Sequence, residues 1–208
     1  NAPVKRIVFL TNREKGELMF VIFHGKATEG TVNAAIIPSK KSLLSLSETG
    51  EIIVADENEN NKIIQQPRDI FQLNDWAIRK DFELLTKGIE PQEISSSNQL
   101  IAPENIFIEE GAVMEYCTIN ASAGPVYIGK NATVMEGCLI RGPFALCEGA
   151  TLKMGTKVYG ATTIGPYCIA GGEIKNSILF GYSNKAHDGY LGDSVIGEWC
   201  NLGAGTTN

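Results

Sequence analysis

Apolar residues recur at every sixth position through much of the second half of the chain. Eight successive hexads begin with an aliphatic residue or alanine: Ile128, Val134, Ile140, Leu146, Leu152, Val158, Ile164 and Ala170. The fifth positions are mostly small: Ala132, Cys138, Phe144, Ala150, Thr156, Thr162, Cys168 and Ile174. A period of six fits neither a helix nor a long amphipathic strand. It predicts a coil of short strands in which three hexads complete one turn of a triangular prism.

The hexad also predicts where each side chain points. The first residue should face into the prism and stack on its counterpart one coil away, and the fifth should face inward near a corner with little room. Backbone hydrogen bonds would then join successive coils, as in a parallel sheet. The pattern resembles the hexapeptide-repeat family, and this resemblance implies a mainly β fold, a left-handed parallel β-helix, against the usual right-handed crossover.

Two interruptions of the repeat are expected. The two hexads before Asn120 are out of phase by two residues with the hexads that start at Ile128. Residues 120–126, which include a Gly-Pro pair, should absorb this slip as a loop. A second interruption is predicted at residues 180–190, after which the repeat resumes at Leu191. Loops that break a regular scaffold often carry function.

The first part of the chain has a different pattern. Two β-like runs at residues 6–10 and 18–24 are separated by a polar turn and predict a hairpin. Residues 70–87 carry apolar side chains at helical spacing, with Asp69 as the expected N-cap and Gly88 as the stop. A small α/β segment and a linker helix are therefore expected before the β-helix.

These patterns divide the chain into three parts. Residues 1–65 form the α/β segment, residues 66–98 the linker helix and loop, and residues 99–208 the β-helix. The chain begins with Asn1, and residues 206–208 stop in the middle of a repeat. We expect both ends to be incomplete, with the β-helix truncated at its C-terminal end.

Composition narrows the possible functions. The chain has 208 residues and a formal net charge of −6, and it contains no run of lysine and arginine. This argues against nucleic acid and anionic membranes as partners. The longest apolar stretch, residues 18–23, is too short to span a bilayer. Five cysteines without a CxxC pair argue against a disulfide framework or a zinc site, and favour small buried thiols in a cytoplasmic protein.

The chain has two histidines, His24 and His187. His24 lies in an apolar strand run, which favours a structural role. His187 lies in the polar second interruption, where an imidazole can accept a proton at neutral pH. Position alone leaves two readings of His187 open, a general base or a loop histidine with a structural hydrogen bond.

The last part of the chain carries several blocks with a recognisable spacing. They are Glu173-Ile174-Lys175, Lys185-Ala186-His187, Tyr190-Leu191-Gly192-Asp193, Ile196-Gly197 and Asn201-Leu202-Gly203-Ala204-Gly205-Thr206. These blocks resemble the acetyltransferase domain of the bifunctional bacterial N-acetylglucosamine-1-phosphate uridyltransferase/glucosamine-1-phosphate acetyltransferase family. Residues 69–82 and 199–204 look closer to a subgroup of uncharacterised relatives described as sugar nucleotidyltransferases.

The resemblance implies a role for each matching residue. His187 would be the general base that takes a proton from the amine of glucosamine 1-phosphate as the nitrogen attacks the thioester of acetyl-CoA. The reaction would take place in a ternary complex, without a covalent enzyme intermediate. Asp188 makes this loop more acidic than in the family, and the substrate could differ for that reason.

The other matching residues would bind the two substrates. Lys175 would bind the sugar phosphate, Tyr190 and Asn201 would hold the sugar phosphate and the sugar, and Ala204 would touch acetyl-CoA. Lys157 stands where the family has an arginine, so the charge is kept but the bidentate fork is lost. Lys157 and Lys175 could instead be solvated lysines on a coil face.

The resemblance also implies acetyl-CoA as cosubstrate and a homotrimer with the site between neighbouring prisms. Residues 1–65 would be the remnant of a nucleotidyltransferase-like domain, although they lack a Gly-rich nucleotide loop with a following lysine. Mg²⁺ is expected only if a nucleotidyltransferase site exists outside this chain.

Two alternatives to the acetyltransferase remain. The first is a sugar-1-phosphate nucleotidyltransferase whose β-helix only oligomerises or regulates, and the second is a trimeric scaffold without catalysis. A γ-type carbonic anhydrase shares the fold but needs three zinc-binding histidines, and the chain has two histidines in all.

Overall fold

The structure is a computed structural model that describes residues 6–12, 17–23, 62–64 and 66–208. The chain forms two compact units, residues 1–69 and 70–208. In the first unit, β1 (Arg6–Asn12) pairs antiparallel with β2 (Glu17–Phe23), and β2 pairs antiparallel with β3 (Ile63–Ile64). The antiparallel pair confirms the predicted hairpin. The rest of residues 1–65 lies outside the described part of the chain, so its nucleotidyltransferase-like origin stays a prediction.

Two helices stand where the sequence predicted one. They are α1 (Pro67–Gln72) and α2 (Asn74–Thr86), separated by Leu73. The carboxylate of Asp69 accepts a hydrogen bond of 2.9 Å from the backbone N–H of Gln66. Asp69 therefore lies inside the first turn and satisfies a free N–H group there, as an acidic residue does in a capping box, instead of preceding the helix. Gly88 follows α2 with φ +73°, which is the expected stop.

Three parallel sheets form the sides of a β-helix from residue 99 onward. The first, sheet I, consists of β4 (Gln99–Ile101), β7 (Thr118–Asn120), β10 (Leu139–Arg141), β13 (Lys157–Tyr159), β16 (Glu173–Lys175) and β19 (Tyr190–Gly192). Sheet II consists of β5 (Ile106–Ile108), β8 (Val126–Ile128), β11 (Phe144–Leu146), β14 (Thr162–Ile164), β17 (Ile178–Leu179) and β20 (Val195–Ile196).

Sheet III consists of β6 (Val113–Met114), β9 (Thr133–Val134), β12 (Thr151–Leu152), β15 (Ile169–Ala170) and β18 (Asn184–Lys185). Each of the first five coils contributes one strand to each sheet and the last contributes β19 and β20, and every strand inside a sheet pairs in parallel with the strands of the coils directly before and after it. This arrangement confirms the predicted fold class, a left-handed parallel β-helix built from hexapeptide repeats.

The core of the β-helix is a stack of inward aliphatic side chains. Ile140 and Val158 pair in register eighteen residues apart in sheet I, as do Leu146 and Ile164 in sheet II. All four are at most 2% exposed. Burial of one such side chain contributes about 1.5–3 kcal/mol. The predicted role of cysteines is confirmed for three of the five, because Cys117, Cys138 and Cys168 are free and buried in the prism.

The first predicted interruption is a loop. Ile119 pairs with Ile140 twenty-one residues later, whereas Ile140 pairs with Val158 after eighteen. The three additional residues leave the coil between β7 and β8 and return to it without disturbing the sheets. The predicted loop at residues 120–126 is thereby confirmed.

The second predicted interruption is wrong as a break in the coil. Strands β17, β18 and β19 run through or flank residues 180–190 and keep their places in sheets II, III and I. The coil is shortened instead, since Ala170 pairs with Lys185 only fifteen residues later. Gly171 and Gly172 account for two of the three missing residues, since Ala170 and Ile174 are four positions apart where Leu152 and Val158 are six. The two glycines form a tight corner in which Gly172 has φ +78°, and a Cβ there would lie 2.7 Å from the carbonyl oxygen of Gly189.

Ile174 has a different place from the one expected at the fifth position of a hexad. It pairs with Val158 in the centre of β16 and is fully buried. The double-glycine corner, Gly171 and Gly172, shortens the connection from β15 to β16. Ile174 therefore takes the inward position in sheet I that Val158, the first residue of its hexad, takes one coil earlier.

Helix α2 packs on the outer face of sheet II. The buried side chain of Asn74 accepts a hydrogen bond of 2.9 Å from the hydroxyl of Thr163 and donates one of 2.5 Å to the carbonyl of Ala161. Ile78 is buried one turn further along the helix. Among the described residues, no helix has both the length and the apolar character needed to cross a bilayer.

Candidate functional site

His187 lies at a corner of the prism between sheet III and sheet I. Residues 186–189 connect β18 to β19. Residues 187–189 of this connection are called the His187 corner below, and the side chain of His187 is exposed. The carbonyl of Gly189 accepts a hydrogen bond of 3.1 Å from the backbone N–H of Glu173 in the coil before it. The carbonyl of Asp188 accepts one of 3.0 Å from the N–H of Gly205 in the coil after it. The backbone of the His187 corner is therefore held from both sides.

Lys185 supports the same corner from inside the prism. Its side chain is 1% exposed, and its ammonium donates to the carbonyls of Gly171 at 3.1 Å and His187 at 2.6 Å. Burial lowers the pKa of the Lys185 ammonium, and the charge of Asp188 acts in the opposite direction. In the sequence, Lys185 stood out only as part of the block Lys185-Ala186-His187. Its position in the column of inward residues, next to Ala170, was the signal that could have found it.

Three polar side chains lie beside each other on the outer face of sheet I. Lys157, Glu173 and Tyr190 are direct neighbours in register across β13, β16 and β19. Adjacent strands are about 4.8 Å apart, so these side chains form one continuous row. Lys157 is exposed, and the other two are half-buried. Glu173 was not predicted as a site residue, and its carboxylate stands between a lysine and a tyrosine.

Lys175 shares this face with Tyr190. It lies two residues after Glu173 in β16, is exposed, and pairs in register with Gly192. A Cβ on Gly192 would lie 2.3 Å from the phenol oxygen of Tyr190, so the tyrosine ring covers Gly192. The phenol of Tyr190 is thereby placed on the strand next to Lys175.

Asn201 and Ala204 belong to the next coil. Asn201 bridges in parallel to Asn184 on the sheet III side, and its side chain is exposed. Ala204 is also exposed and lies in the turn at residues 203–206, whose Gly205 bonds to Asp188. His187 and Ala204 therefore lie in stacked corners, with Lys157, Lys175 and Tyr190 on one adjoining face and Asn201 on the other.

The arrangement suits an anionic ligand held near an imidazole. Two lysine ammonium groups and a phenol on one sheet face can donate to phosphate oxygens, and His187 at the adjoining corner can accept a proton. Within the described residues, no group of three or more His, Cys, Asp or Glu side chains is placed to hold a metal ion. A separate groove lined by residues that include Ile94 and Val113 lies by the first strand of sheet III, coils away from His187.

Comparison with curated proteins finds relatives that share one name. The chain is 26% identical over 182 residues to the bifunctional protein GlmU of Synechococcus elongatus, which covers 80% of this chain and 39% of that protein. It is 27% identical over 177 residues to the bifunctional protein GlmU of Carboxydothermus hydrogenoformans, covering 69% of this chain and 37% of that protein. A shorter match of 82 residues to the GlmU of Rippkaea orientalis is 38% identical and covers 38% of this chain and 18% of that protein.

The chain spans about two fifths of the length of the first of these relatives. Protein-family models give no match. The similarity to several GlmU proteins, together with the hexapeptide-repeat solenoid, confirms the resemblance inferred from the sequence.

Proposed function

We propose, from the similarity to the bifunctional GlmU proteins, that this chain carries the acyl-transfer part of nucleotide-sugar synthesis. It would move an acetyl group from acetyl-CoA to the amine of an amino-sugar 1-phosphate of the glucosamine 1-phosphate type, with His187 as general base. The observation that carries the proposal is the exposed His187 at a prism corner beside a face bearing Lys157, Lys175 and Tyr190.

The sugar phosphate would bind to sheet I. The ammonium of Lys175 and the neighbouring phenol of Tyr190 donate to phosphate oxygens, because these groups lie on adjacent strands. Lys157 adds a second positive charge one strand further away, with the carboxylate of Glu173 between. We infer that Glu173 accepts hydrogen bonds from sugar hydroxyls, since a carboxylate beside the phosphate itself would repel it.

The chemical step needs one base and no covalent intermediate. The amine nitrogen attacks the thioester carbonyl, a C–N bond forms, and the C–S bond breaks. The imidazole of His187 takes the proton that the nitrogen loses and returns it to the leaving CoA thiolate. Acetyl-CoA would lie along the corner that carries Ala204, stacked on the His187 corner, and Asn201 would contact the sugar from sheet III.

A homotrimer with the site between prisms belongs to the same proposal. The candidate residues are spread over two faces that meet at one edge, and the face of a neighbouring prism could close this edge into a cleft. Mass measurement by light scattering tests the assembly, since a trimer would have about three times the mass of the 22.5 kDa chain. A monomer at all concentrations would contradict it.

A nucleotidyltransferase whose β-helix only oligomerises or regulates remains the second candidate. One observation favours it, because the 80% of this chain matched by the Synechococcus elongatus protein is more than residues 99–208 contain. The similarity thus extends beyond the β-helix. Mg²⁺ is part of this second candidate only.

Substitution of His187 tests the first candidate. The transfer from acetyl-CoA to glucosamine 1-phosphate is followed by the release of the CoA thiol, in wild type, His187→Ala and His24→Ala. Removal of a general base costs about 10²- to 10⁴-fold in kcat, so His187→Ala should lose that much and His24→Ala should not. Wild-type rates in His187→Ala would contradict the role. Thermal stabilisation by acetyl-CoA favours the first candidate, and stabilisation by a nucleoside triphosphate favours the second.

A further inference from the structure

Lys185 is the one charged side chain among the buried residues that the structure describes. It occupies the inward column of sheet III, where its stem stacks next to Ala170, the smallest residue at that position in any coil of the sheet. The small neighbour leaves room for a long unbranched side chain inside the prism. An aliphatic residue would satisfy packing here equally well, so packing alone does not explain a lysine.

The ammonium of Lys185 joins two successive corners. It donates to the carbonyl of Gly171, in the double-glycine corner, and to the carbonyl of His187 in the coil above. Gly171 directly follows β15, and His187 lies two residues after the end of β18, so both carbonyls belong to the connections that lead from sheet III to sheet I. One side chain thus fixes the distance between the His187 corner and the corner on which it stacks.

Backbone hydrogen bonds join the two coils at either end of this connection, from the N–H of Gly171 to the carbonyl of Lys185 at 2.7 Å and from the N–H of Glu173 to the carbonyl of Gly189 at 3.1 Å. The double-glycine corner brings no side chain of its own, and a Cβ on Gly171 would lie 2.5 Å from the carbonyl oxygen of Ala186. The side chains of His187 and Asp188 are exposed and point away from the core. The inward ammonium therefore adds, between these two backbone bonds, a contact that the exposed side chains of the His187 corner do not make.

We propose that Lys185 is a positioning residue that sets the height and orientation of His187 by binding the backbone of its corner from within the prism. The expected effect of Lys185 on catalysis rests on the proposed function, whereas its expected effect on the His187 corner rests on geometry alone. A shift of about 1 Å in a catalytic group can cost on the order of 10²-fold in rate, so a corner loosened by that amount would slow the reaction without unfolding the chain.

Lys185→Met separates positioning from packing. Methionine keeps the length of the stem and removes the ammonium, and loss of a desolvated charge is often neutral or stabilising. If Lys185 only filled the core, its replacement by methionine would therefore leave the His187 corner unchanged. Ser183→Ala is the matched control. It removes a buried hydroxyl two residues earlier, at the corner that precedes β18. This hydroxyl donates to the carbonyl of Gly197 at 2.6 Å and accepts from the N–H of Cys200 at 2.9 Å.

Amide hydrogen exchange gives a readout that needs no activity. The N–H groups of Glu173 and Gly205 donate to carbonyls of the His187 corner, so their exchange reports its mobility. In Lys185→Met we expect both to exchange about tenfold faster or more, while the N–H of Thr151, bonded to Cys168 deep in the coil, keeps its rate. Unchanged exchange at Glu173 and Gly205 would overturn the proposal.

Steady-state kinetics give the second readout. In Lys185→Met we expect kcat for acetyl transfer to fall about ten- to a hundredfold, with the KM for glucosamine 1-phosphate changed by less than about threefold. Ser183→Ala should keep its kcat. An unchanged kcat in Lys185→Met, or a KM effect alone, would overturn the positioning role.

The two proposals fail in different ways. If the wild-type chain transfers no acetyl group, the proposed function is overturned, while exchange at Glu173 and Gly205 still decides whether Lys185 holds the corner. If Lys185→Met does not fold, Lys185→Gln replaces it. The glutamine amide can donate to one of the two carbonyls, so Lys185→Gln should loosen the corner less than Lys185→Met. Exchange at Glu173 and Gly205 at the wild-type rate in Lys185→Gln would contradict the proposal.

Discussion

The ring of Tyr182 stacks on the indole of Trp199, with ring centroids 4.5 Å apart and planes within 5° of parallel. Tyr167 continues the stack below Tyr182 at 5.4 Å. The three residues occupy the same corner in successive coils, between sheet II and sheet III, and all have positive φ values of 57°, 60° and 58° in chain order. Aromatic residues seldom adopt this conformation, which costs about 1–2 kcal/mol. The stacking therefore offsets backbone strain at three corners.

Substitution of Tyr182 should reveal both effects. Tyr182→Ala loses two ring contacts and keeps a Cβ in the strained conformation, so the free energy of unfolding should fall by about 1–3 kcal/mol. Tyr182→Gly loses the same contacts but relieves the strain, and should be more stable than Tyr182→Ala. Urea denaturation measures both. Tyr116 is the control, because it has φ +53° and is 70% exposed but stacks on no ring in the described part of the chain. Tyr116→Gly should be neutral or stabilising.

Gly192 should tolerate no side chain if Tyr190 serves the site. The Cβ of Gly192→Ala would meet the phenol oxygen of Tyr190 at 2.3 Å and displace the ring from its place beside Lys175. We expect the KM for the sugar phosphate to rise about tenfold, with little change in the melting temperature, since the ring can move outward. At Gly203 a Cβ would find its nearest neighbour at 4.0 Å, so Gly203→Ala is the control. Equal KM values in the two variants would contradict the placement of Tyr190.

Lys175→Ala should weaken binding of the sugar phosphate. A charge-assisted hydrogen bond to phosphate contributes about 1.5–3 kcal/mol, so the KM for glucosamine 1-phosphate should rise about tenfold or more, with a smaller effect on the KM for acetyl-CoA. Lys130 is exposed in an earlier coil, away from these residues, and Lys130→Ala is the matched control for loss of one charge. A similar KM increase in Lys130→Ala would indicate only long-range attraction between protein and phosphate.

The buried ammonium of Lys185 should make stability depend on pH. Burial holds the pKa of Lys185 below its ordinary value of 10.5, with Asp188 opposing the shift. Between the lowered pKa and 10.5, the unfolded chain binds more protons at this position than the folded chain, so the free energy of unfolding rises with pH. Lys185→Met lacks the contribution of Lys185 but has the same other titrating groups as the wild type. The stability of wild type relative to Lys185→Met should therefore increase as the pH rises through this range.

Urea denaturation of the two proteins at several pH values measures that difference. A difference that stays constant, or that decreases with rising pH, would show that the Lys185 ammonium is not desolvated in the folded chain. The measurement is independent of catalysis, and it also tests the burial on which the positioning role depends.

The parts of the fold that follow from packing could be predicted from the sequence. Ile140 and Val158 must stack eighteen residues apart because only an inward aliphatic side chain can fill the prism, and this requirement is visible as a period. The shortened coil was missed because Gly171 and Gly172 change the length of a corner without changing the type of residue that follows. A period search then assigns Ile174 to the wrong position, although its burial is the same.

The candidate site was predictable to a different extent. His187 and Lys175 lie in the matching blocks, and Lys157 was named from its position opposite a family arginine. Which faces these residues share depends on the register between coils. Glu173 was missed because its carboxylate resembles an ordinary surface residue in the sequence until Lys157 and Tyr190 are seen on either side of it. Lys185 was missed because a lysine is rarely buried, and only its place in an inward column distinguishes it.

Corner length and sheet register are independent in this prism. Successive paired residues are separated by fifteen to twenty-one positions, yet every strand keeps its neighbours. An insertion at a corner therefore leaves all inward side chains in place, whereas an insertion of one residue inside a strand would turn its apolar side chains outward. Under the proposed function, a longer or shorter corner at His187 would alter which acceptor the site admits, without any change in the core beneath it.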